Sequence, residues 1–438
     1  MKTCLAVMLV LPAPLLAAGT TSMPTAAESD PVVLQLMQGS PVPRDKQVRS
    51  DDGSMFTFPK TRWAYSHQQA LLPTAVVQRA GAVSPLAYSL RPEIDAITFD
   101  TAAFDTTRKR KLTWREAFDE NYTDGLIVLH RGRVVYERYA GALGPDGRHI
   151  AMSATKSFVG TLALLLIDDG RLDRSHTVGS HVPELARSGF GDATIGEVMD
   201  MRTAIAFDED YRGTGTELTP VTRMMIAAGI APAPFGYRGP DGIFAFIAGI
   251  GGQGKHGGDF SYRTPNTLAL QWVVERAGGV PFATQLAERI WKPMGMEQEG
   301  SVDVDRIGTA FGGGGLNASL RDLARFGEMI RNGGHWNGRQ VLPPAVARAI
   351  LSPGDPAAFA ATRYPGLEGG SYANQWWHRA TGQTMALGVS GQMIYIDPEN
   401  GLVIARFASN PVASNRKILP ITLPAFDALA EHLRQSGH

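Results

Sequence analysis

The stretch that most constrains the fold is AMSATKSFVGTLALLLIDDG, residues 151–170. From Phe158 to Ile167 it is apolar except for Gly160 and Thr161, and it closes on Gly170, a natural left-handed stop after a last helical turn. A helix of this composition has to be buried, so the rest of the chain must build a core around it. Its mouth carries Ser153 and Lys156, one of nine lysines in 438 residues. A helix-capping serine explains the first of these but not the second.

Positions i and i+3 share a helix face, so Ser153 and Lys156 sit side by side in the first turn. The free N–H groups and the positive end of the helix dipole lie there, and both favour an alkoxide or an oxyanion. A lysine partly desolvated in such a place has a lowered pKa and serves as a base. Ser-x-x-Lys at a helix start is therefore a coherent activated nucleophile. A second match, SNRK at 414–417, competes on pattern alone. Ser153 is favoured because it follows a strand hairpin, opens a long buried helix and has a long downstream chain to supply partners. Other nucleophile schemes fit worse. There is no G-x-S-x-G elbow and no H-E-x-x-H pair, and the ten histidines are scattered. No metal or organic cofactor is expected.

The surrounding chain supplies both strands and helices. GLIVLHRGRVVYERYAG (125–141) reads as a hairpin turning at Arg131-Gly132. Helical patterns and loops dominate from Thr194 to about Val302, with a clear helix in TPNTLALQWVVERAGG (264–279) and a glycine-rich loop at 249–262. That loop lacks the GKS or GKT of a phosphate loop. In GGGGLNASLRDLARFGEMIRNGG (312–334), Ser319 and Asp322 form a candidate capping box. Strands return at 375–380, 392–397 and 402–408, and a final helix is expected over about 423–435. Strands at both ends with helices between them predict an α+β architecture: an antiparallel sheet flanked by helices, plus an inserted, mainly helical region at about 186–304.

The N-terminus reads as an export signal. Lys2 is followed by an apolar run, Cys4 to Leu16, and then by small residues at Ala17, Ala18 and Gly19. Cleavage near Ala18 or near Ala27 fits, so residues 1–27 are assigned to a leader and a periplasmic or secreted location is expected. The only cysteine, Cys4, would leave with it, and the mature chain would hold no disulfide and no thiolate ligand. No other stretch has the apolar length of a membrane span. Residues 28–111, rich in Pro, Gly and polar side chains, read as an extension packed on a catalytic domain spanning 112–438. Balanced charge, 42 basic against 42 acidic side chains, argues against nucleic acid as a partner.

With these motifs in order, the chain resembles the serine β-lactamase and penicillin-binding-protein superfamily of the class C type. More narrowly it is similar to 6-aminohexanoate-dimer hydrolases and related carboxylesterases. The resemblance rests on MQGSPVPRDKQV (37–48), MSATKSFVG (152–160), FDEDY (207–211), FSYRTPNTLALQWVVE (260–275), GGGGLNASLRDLARFG (312–327) and GVSGQMIYIDPENG (388–401). It implies Ser153 as nucleophile, Lys156 as proton acceptor and Tyr262 as general acid/base. It also implies an oxyanion hole from the backbone N–H groups of Ser153 and Val389. Tyr211, Asn266 and Gly388 are implied substrate-pocket positions. Two elements depart from the superfamily pattern. Tyr-x-Asn reads Tyr262-Arg263-Thr264, and Lys-Thr-Gly reads Ala386-Leu387-Gly388. The second change removes the cation that anchors a β-lactam carboxylate.

The expected activity is therefore hydrolysis of a small-molecule ester or amide through an acyl-enzyme. A penicillin-binding carboxypeptidase or β-lactamase is the alternative enzyme. A catalytically silent binding protein on the same scaffold is the alternative of another class.

Overall fold

The computed structural model describes residues 23–102, 109–211, 218–362 and 364–435. The strands in chain order are β1 (Thr74–Val77), β2 (Ala87–Tyr88), β3 (Thr98–Ala102), β4 (Lys109–Thr113), β5 (Thr123–His130), β6 (Arg133–Tyr139), β7 (His149–Ile150), β8 (Gly300–Asp303) and β9 (Leu316–Ala318). They continue with β10 (His335–Trp336), β11 (Arg339–Gln340), β12 (Ser371–Ala373), β13 (Trp376–His378), β14 (Thr384–Gly388), β15 (Gln392–Asp397) and β16 (Leu402–Ala408). An eight-stranded sheet runs in the order β12-β13-β14-β15-β16-β5-β6-β2, antiparallel except where β2 joins β6 in parallel. The chain thus brings its C-terminal strands beside the early hairpin, with Leu402 opposite His130 in register.

The central strands are apolar on both sides because both faces are covered. Ile127, Leu129, Ile394, Ile396, Val403 and Ala405 point into one core, and their sequence neighbours Leu126, Val128, Met393, Tyr395, Leu402 and Ile404 point into another. That is the two-residue period of a strand acting with a layer on either side. The hairpin turns where expected: Arg131 (φ 50°) and Gly132 (φ 78°) are both left-handed, matching the twist of the strands they join.

On the first face lies the buried helix, Thr155–Asp168, entered through a short 3₁₀ turn at Met152–Ala154. Every residue from Thr155 to Leu166 is buried, and Gly170 (φ 71°) ends the turn that follows. Phe158 stacks on Phe326 of helix Leu320–Arg331 with centroids 4.2 Å apart. At Gly160 the helix presses on the β12–β13 turn, where a Cβ would lie 2.2 Å from the Asn374 carbonyl oxygen. Burying each of its large apolar side chains contributes roughly 1.5–3 kcal/mol, so this helix is a principal anchor of the core.

The second face is covered by the C-terminal helix, Asn415–Gln435, through Leu419, Leu423, Phe426, Leu429 and Leu433. It begins eight residues before the expected Leu423. Pro420 and Pro424 lie inside it and obscure its start in the sequence. The capping box at Ser319 is only half formed. Ser319 Oγ accepts from the Asp322 N–H at 3.1 Å, while the Asp322 carboxylate accepts from the backbone N–H groups of Glu297 and Gln298 instead.

Segment 23–102 is woven into both sheets. β1 pairs with β8 at the edge of a four-stranded sheet, β1-β8-β9-β7, and β2 extends the large one. β3 pairs with β4, so a boundary at residue 111 would cut through β4. Residues 1–22 of the expected leader lie outside the described residues. Among the described residues, no helix is long and apolar enough to cross a membrane.

Candidate active site

Ser153 lies in the 3₁₀ turn, so the buried helix proper starts two residues later with Lys156 in its first turn. Lys156 is 1% exposed. Its Nζ donates to Ser153 Oγ at 3.1 Å and to the carbonyl of Gly313, the glycine run preceding β9. Burial pulls the ammonium down to about 8, against the opposing pull of the Glu209 carboxylate. At neutral pH a usable fraction of Lys156 is then an uncharged amine beside the serine.

Tyr262 stands at the start of helix Thr264–Gly278, at the end of the glycine-rich loop. Its hydroxyl faces the same Ser153 side chain. Burial pushes the phenol well above its ordinary range; the Ser153 hydroxyl works against this, and Glu209 adds to the rise. The ring stacks on Trp377 of β13 (centroids 5.5 Å, 27°), and Lys156 Nζ sits 5.3 Å from its centroid. The two partners of Ser153 thus differ in kind. The lysine is poised to lose its proton and the tyrosine to keep one.

The far wall is the end of β14. A Cβ on Gly388 would come 2.5 Å from the Ala151 carbonyl oxygen and 2.9 Å from Met152 Cβ. Only a glycine lets this strand end touch the helix mouth, so the residue before Val389 packs against the two residues before Ser153. Ser390 follows in a left-handed conformation (φ 60°) and is buried. Asn415 Nδ2 donates to the Gly388 carbonyl at 3.2 Å, which ties the C-terminal helix to the same rim.

Tyr211 is 49% exposed, and its hydroxyl donates to Glu209 Oε1 at 2.7 Å. Asn266 does not reach the pocket surface. It is fully buried, and its Oδ1 accepts from Thr203 Oγ1, so it packs beneath the site rather than facing a substrate. The competing Ser414 and Lys417 are both exposed at the start of the C-terminal helix, away from any apolar surround that would activate them. Among the described residues, no three His, Cys, Asp or Glu side chains converge as a metal site.

Spacing does not single out Glu209, although it lies inside the quoted FDEDY. Its Oε2 accepts from the Thr264 N–H at 2.8 Å and its Oε1 from the Thr264 hydroxyl, capping the Tyr262 helix, while its charge acts on both Lys156 and Tyr262. Trp377, which holds the Tyr262 ring, is more distant still in sequence. No local pattern joins either residue to Ser153.

The beta-lactamase family model matches residues 117–420. The chain belongs to the beta-lactamase family. It is a hydrolase of that family. It is 32% identical over 361 residues to the 6-aminohexanoate-dimer hydrolase of Paenarthrobacter ureafaciens, covering 82% of this chain and 88% of that one. A solved structure from Bacillus anthracis that carries the 6-aminohexanoate-dimer hydrolase name superposes with a TM-score of 0.77 at 28% identity, over 90% of this chain and 99% of its own. A penicillin-binding protein homologue from Caulobacter crescentus shares the fold (TM-score 0.52, 17% identity, 72% of this chain and 96% of its own). The β-lactamase/transpeptidase-like α+β architecture expected from the motifs is the one observed in this beta-lactamase-family hydrolase.

Proposed function

We propose that this protein is a serine amidase or esterase that cleaves small amides or esters through a Ser153 acyl-enzyme. The observation that carries this reading is a buried Lys156 amine 3.1 Å from Ser153 Oγ, with the Tyr262 ring centroid 5.3 Å from the same amine. Neutral Lys156 takes the Ser153 proton as Oγ attacks the carbonyl carbon. The backbone N–H groups of Ser153 and Val389 stabilise the oxyanion. Tyr262 donates its proton to the departing amine or alcohol as the scissile bond breaks, and the Lys156 ammonium returns a proton to the phenolate. Water then attacks the acyl carbon and gives a proton to the same pair; the bond to Ser153 Oγ breaks, the pair returns that proton to Oγ, and the acid leaves.

The similarity to 6-aminohexanoate-dimer hydrolases supports a linear amide with an apolar acyl chain as the substrate class. Ala386, where a β-lactamase places its lysine, argues against β-lactams. Ser153→Ala is expected to abolish hydrolysis of p-nitrophenyl acetate and of aminohexanoate oligomers while the circular-dichroism spectrum stays native. Undiminished turnover would refute the reading, and faster turnover of nitrocefin than of either substrate would favour the penicillin-type alternative.

We also propose export with removal of the leader near Ala18. Two groups just beyond that point hold the fold: Tyr122 donates its hydroxyl to the Pro24 carbonyl at 2.7 Å, and Arg62 donates to the Ala26 carbonyl. Cleavage near Ala27 would discard both acceptors. N-terminal sequencing of the protein from a periplasmic extract tests this, and a first residue beyond Ala27 would overturn it.

A further inference from the structure

The carbonyl that Lys156 rests on belongs to the glycine run 312–315, and a buried glutamine grips the start of that run. Gln271 lies two turns into helix Thr264–Gly278 and is fully buried. Its Oε1 accepts from the Gly312 N–H at 2.9 Å. Its Nε2 donates to the Ala310 carbonyl at 2.8 Å and to Glu275 Oε1 at 2.9 Å. These partners fix which way the amide points, because the reverse orientation would set its oxygen against two other oxygens.

The run lies in a tight slot. A Cβ on Gly312 would come 2.5 Å from Gln271 Oε1 and 3.0 Å from Val159 Cγ2 of the buried helix. One on Gly313 would come 2.6 Å from Thr264 Cγ2. The glycines therefore thread between the helix that carries Lys156 and the helix that follows Tyr262. Within the run, the Gly314 and Gly315 N–H groups donate to the Phe311 carbonyl at 3.1 and 2.8 Å. Past it, the Leu316 N–H donates to Thr155 Oγ1 at 3.1 Å. Gln271 thus holds the backbone before Gly313 and Thr155 holds it after. Between these two holds, the Gly313 carbonyl accepts from Lys156 Nζ, which also donates to Ser153 Oγ at 3.1 Å.

We infer that Gln271 is a positioning residue: by gripping the backbone on both sides of Phe311 it sets the Gly313 carbonyl, and through it the distance from Lys156 Nζ to Ser153 Oγ. The inference rests on the acyl-enzyme reading. Without the grip the Gly313 carbonyl withdraws, the amine loses an anchor, and proton transfer from Ser153 slows. A general base contributes about 10²–10⁴-fold, so a displaced one is expected to cost about 10–100-fold in kcat. A second effect goes with the first. A carbonyl acceptor favours the ammonium over the neutral amine, so its withdrawal moves the Lys156 midpoint below about 8.

The test compares wild type with Gln271→Met, which keeps the length but removes the bonds, and Gln271→Asn, whose amide is one methylene too short to reach both backbone groups. Each is assayed for p-nitrophenyl acetate hydrolysis from pH 5.5 to 9.5, with rates expressed per serine labelled to completion by a fluorophosphonate, so that any unfolded fraction drops out. Glu209 and Tyr262, which face Lys156, and Glu275, bonded to Gln271, are the same in every protein. Expected in both variants is a fall of about 10–100-fold in the limiting kcat with KM within about twofold, and a midpoint lowered by at least about half a pH unit. A limiting kcat within about twofold of wild type overturns the inference, as does an unmoved or raised midpoint or a loss confined to melting temperature. So does a failure of both variants to give any labelled protein, which would make Gln271 a residue of folding alone. Ser153→Ala, run alongside, separates the two levels. If it retains activity, the acyl-enzyme reading fails; if it is inactive while the Gln271 variants are unimpaired, only the role of Gln271 fails.

Discussion

At the scale of single residues, the proposed mechanism depends on a difference between two proton carriers beside Ser153. Burial lowers Lys156 to about 8 and raises Tyr262 well above its usual range. On the proposed mechanism Lys156 works uncharged, so kcat/KM for a neutral ester is expected to rise about tenfold per pH unit below pH 8 and to level off above it. Glu209 pulls the Lys156 value upward, so Glu209→Gln should move that midpoint to lower pH. A pH–rate profile from 5.5 to 9.5 on both proteins decides this; an unmoved midpoint would show that Glu209 acts only as a helix cap. Tyr262→Phe separates acid from base. It should lower amide turnover by about 10²–10⁴ and p-nitrophenyl ester turnover far less, because p-nitrophenolate leaves without a proton. Equal losses on the two substrates would remove Tyr262 from the leaving-group step. Of these residues, Ser153 and Lys156 are legible locally because one helical turn joins them. Tyr262 is legible only through motif order. Glu209 and Trp377 are not legible, since they meet the serine by tertiary packing.

At the scale of elements, the proposed catalytic geometry is a contact between the mouth of one helix and the end of one strand, and Gly388 makes that contact possible. A methyl group there would sit 2.5 Å from a backbone carbonyl, which cannot swing aside as a side chain can. Gly388→Ala should therefore push β14 away from Ala151, lower kcat at least about tenfold by displacing Val389, and cost about 1–3 kcal/mol of stability. Kinetics with a parallel melting curve test this, and a wild-type kcat would mean that Val389 is not an oxyanion donor. The same elements show why some boundaries are readable and others are not. The hairpin at Arg131-Gly132 and the stop at Gly170 are set by local backbone chemistry, so they fall where the sequence places them. The C-terminal helix starts early because its apolar face packs on the sheet strongly enough to carry two prolines. Asp322 does not close its capping box on the Ser319 backbone because two N–H groups from residues 297 and 298 take its carboxylate, which also accepts from the Ser319 hydroxyl. Long-range partners of this kind leave no local trace.

At the scale of the whole molecule, the N-terminal segment is where sequence reading yields least. Its Pro- and Gly-rich composition suggests a wrapping extension, yet it supplies an edge strand to each main sheet and a buried cation to their junction. Arg62 and Asp124 are only 2% and 1% exposed, and the guanidinium also donates to the Ala26 carbonyl and to Ser29 Oγ at 3.2 Å. One side chain thus fastens residues 26–29, the short helix and the large sheet. Removing a single partner of such a pair leaves an uncompensated buried charge, which costs about 3–5 kcal/mol. Arg62→Met should therefore lower the urea midpoint and make the segment before residue 60 cleavable by trypsin under native conditions. The contrasting case is Arg49, whose pair with Asp51 is about half exposed on both sides. Arg49→Met should leave the urea midpoint unchanged because solvent already screens that pair. If the two variants proved equally stable, the N-terminal segment would be a passive wrapping and its hold on the catalytic sheet would have to come from β1 and β2 alone.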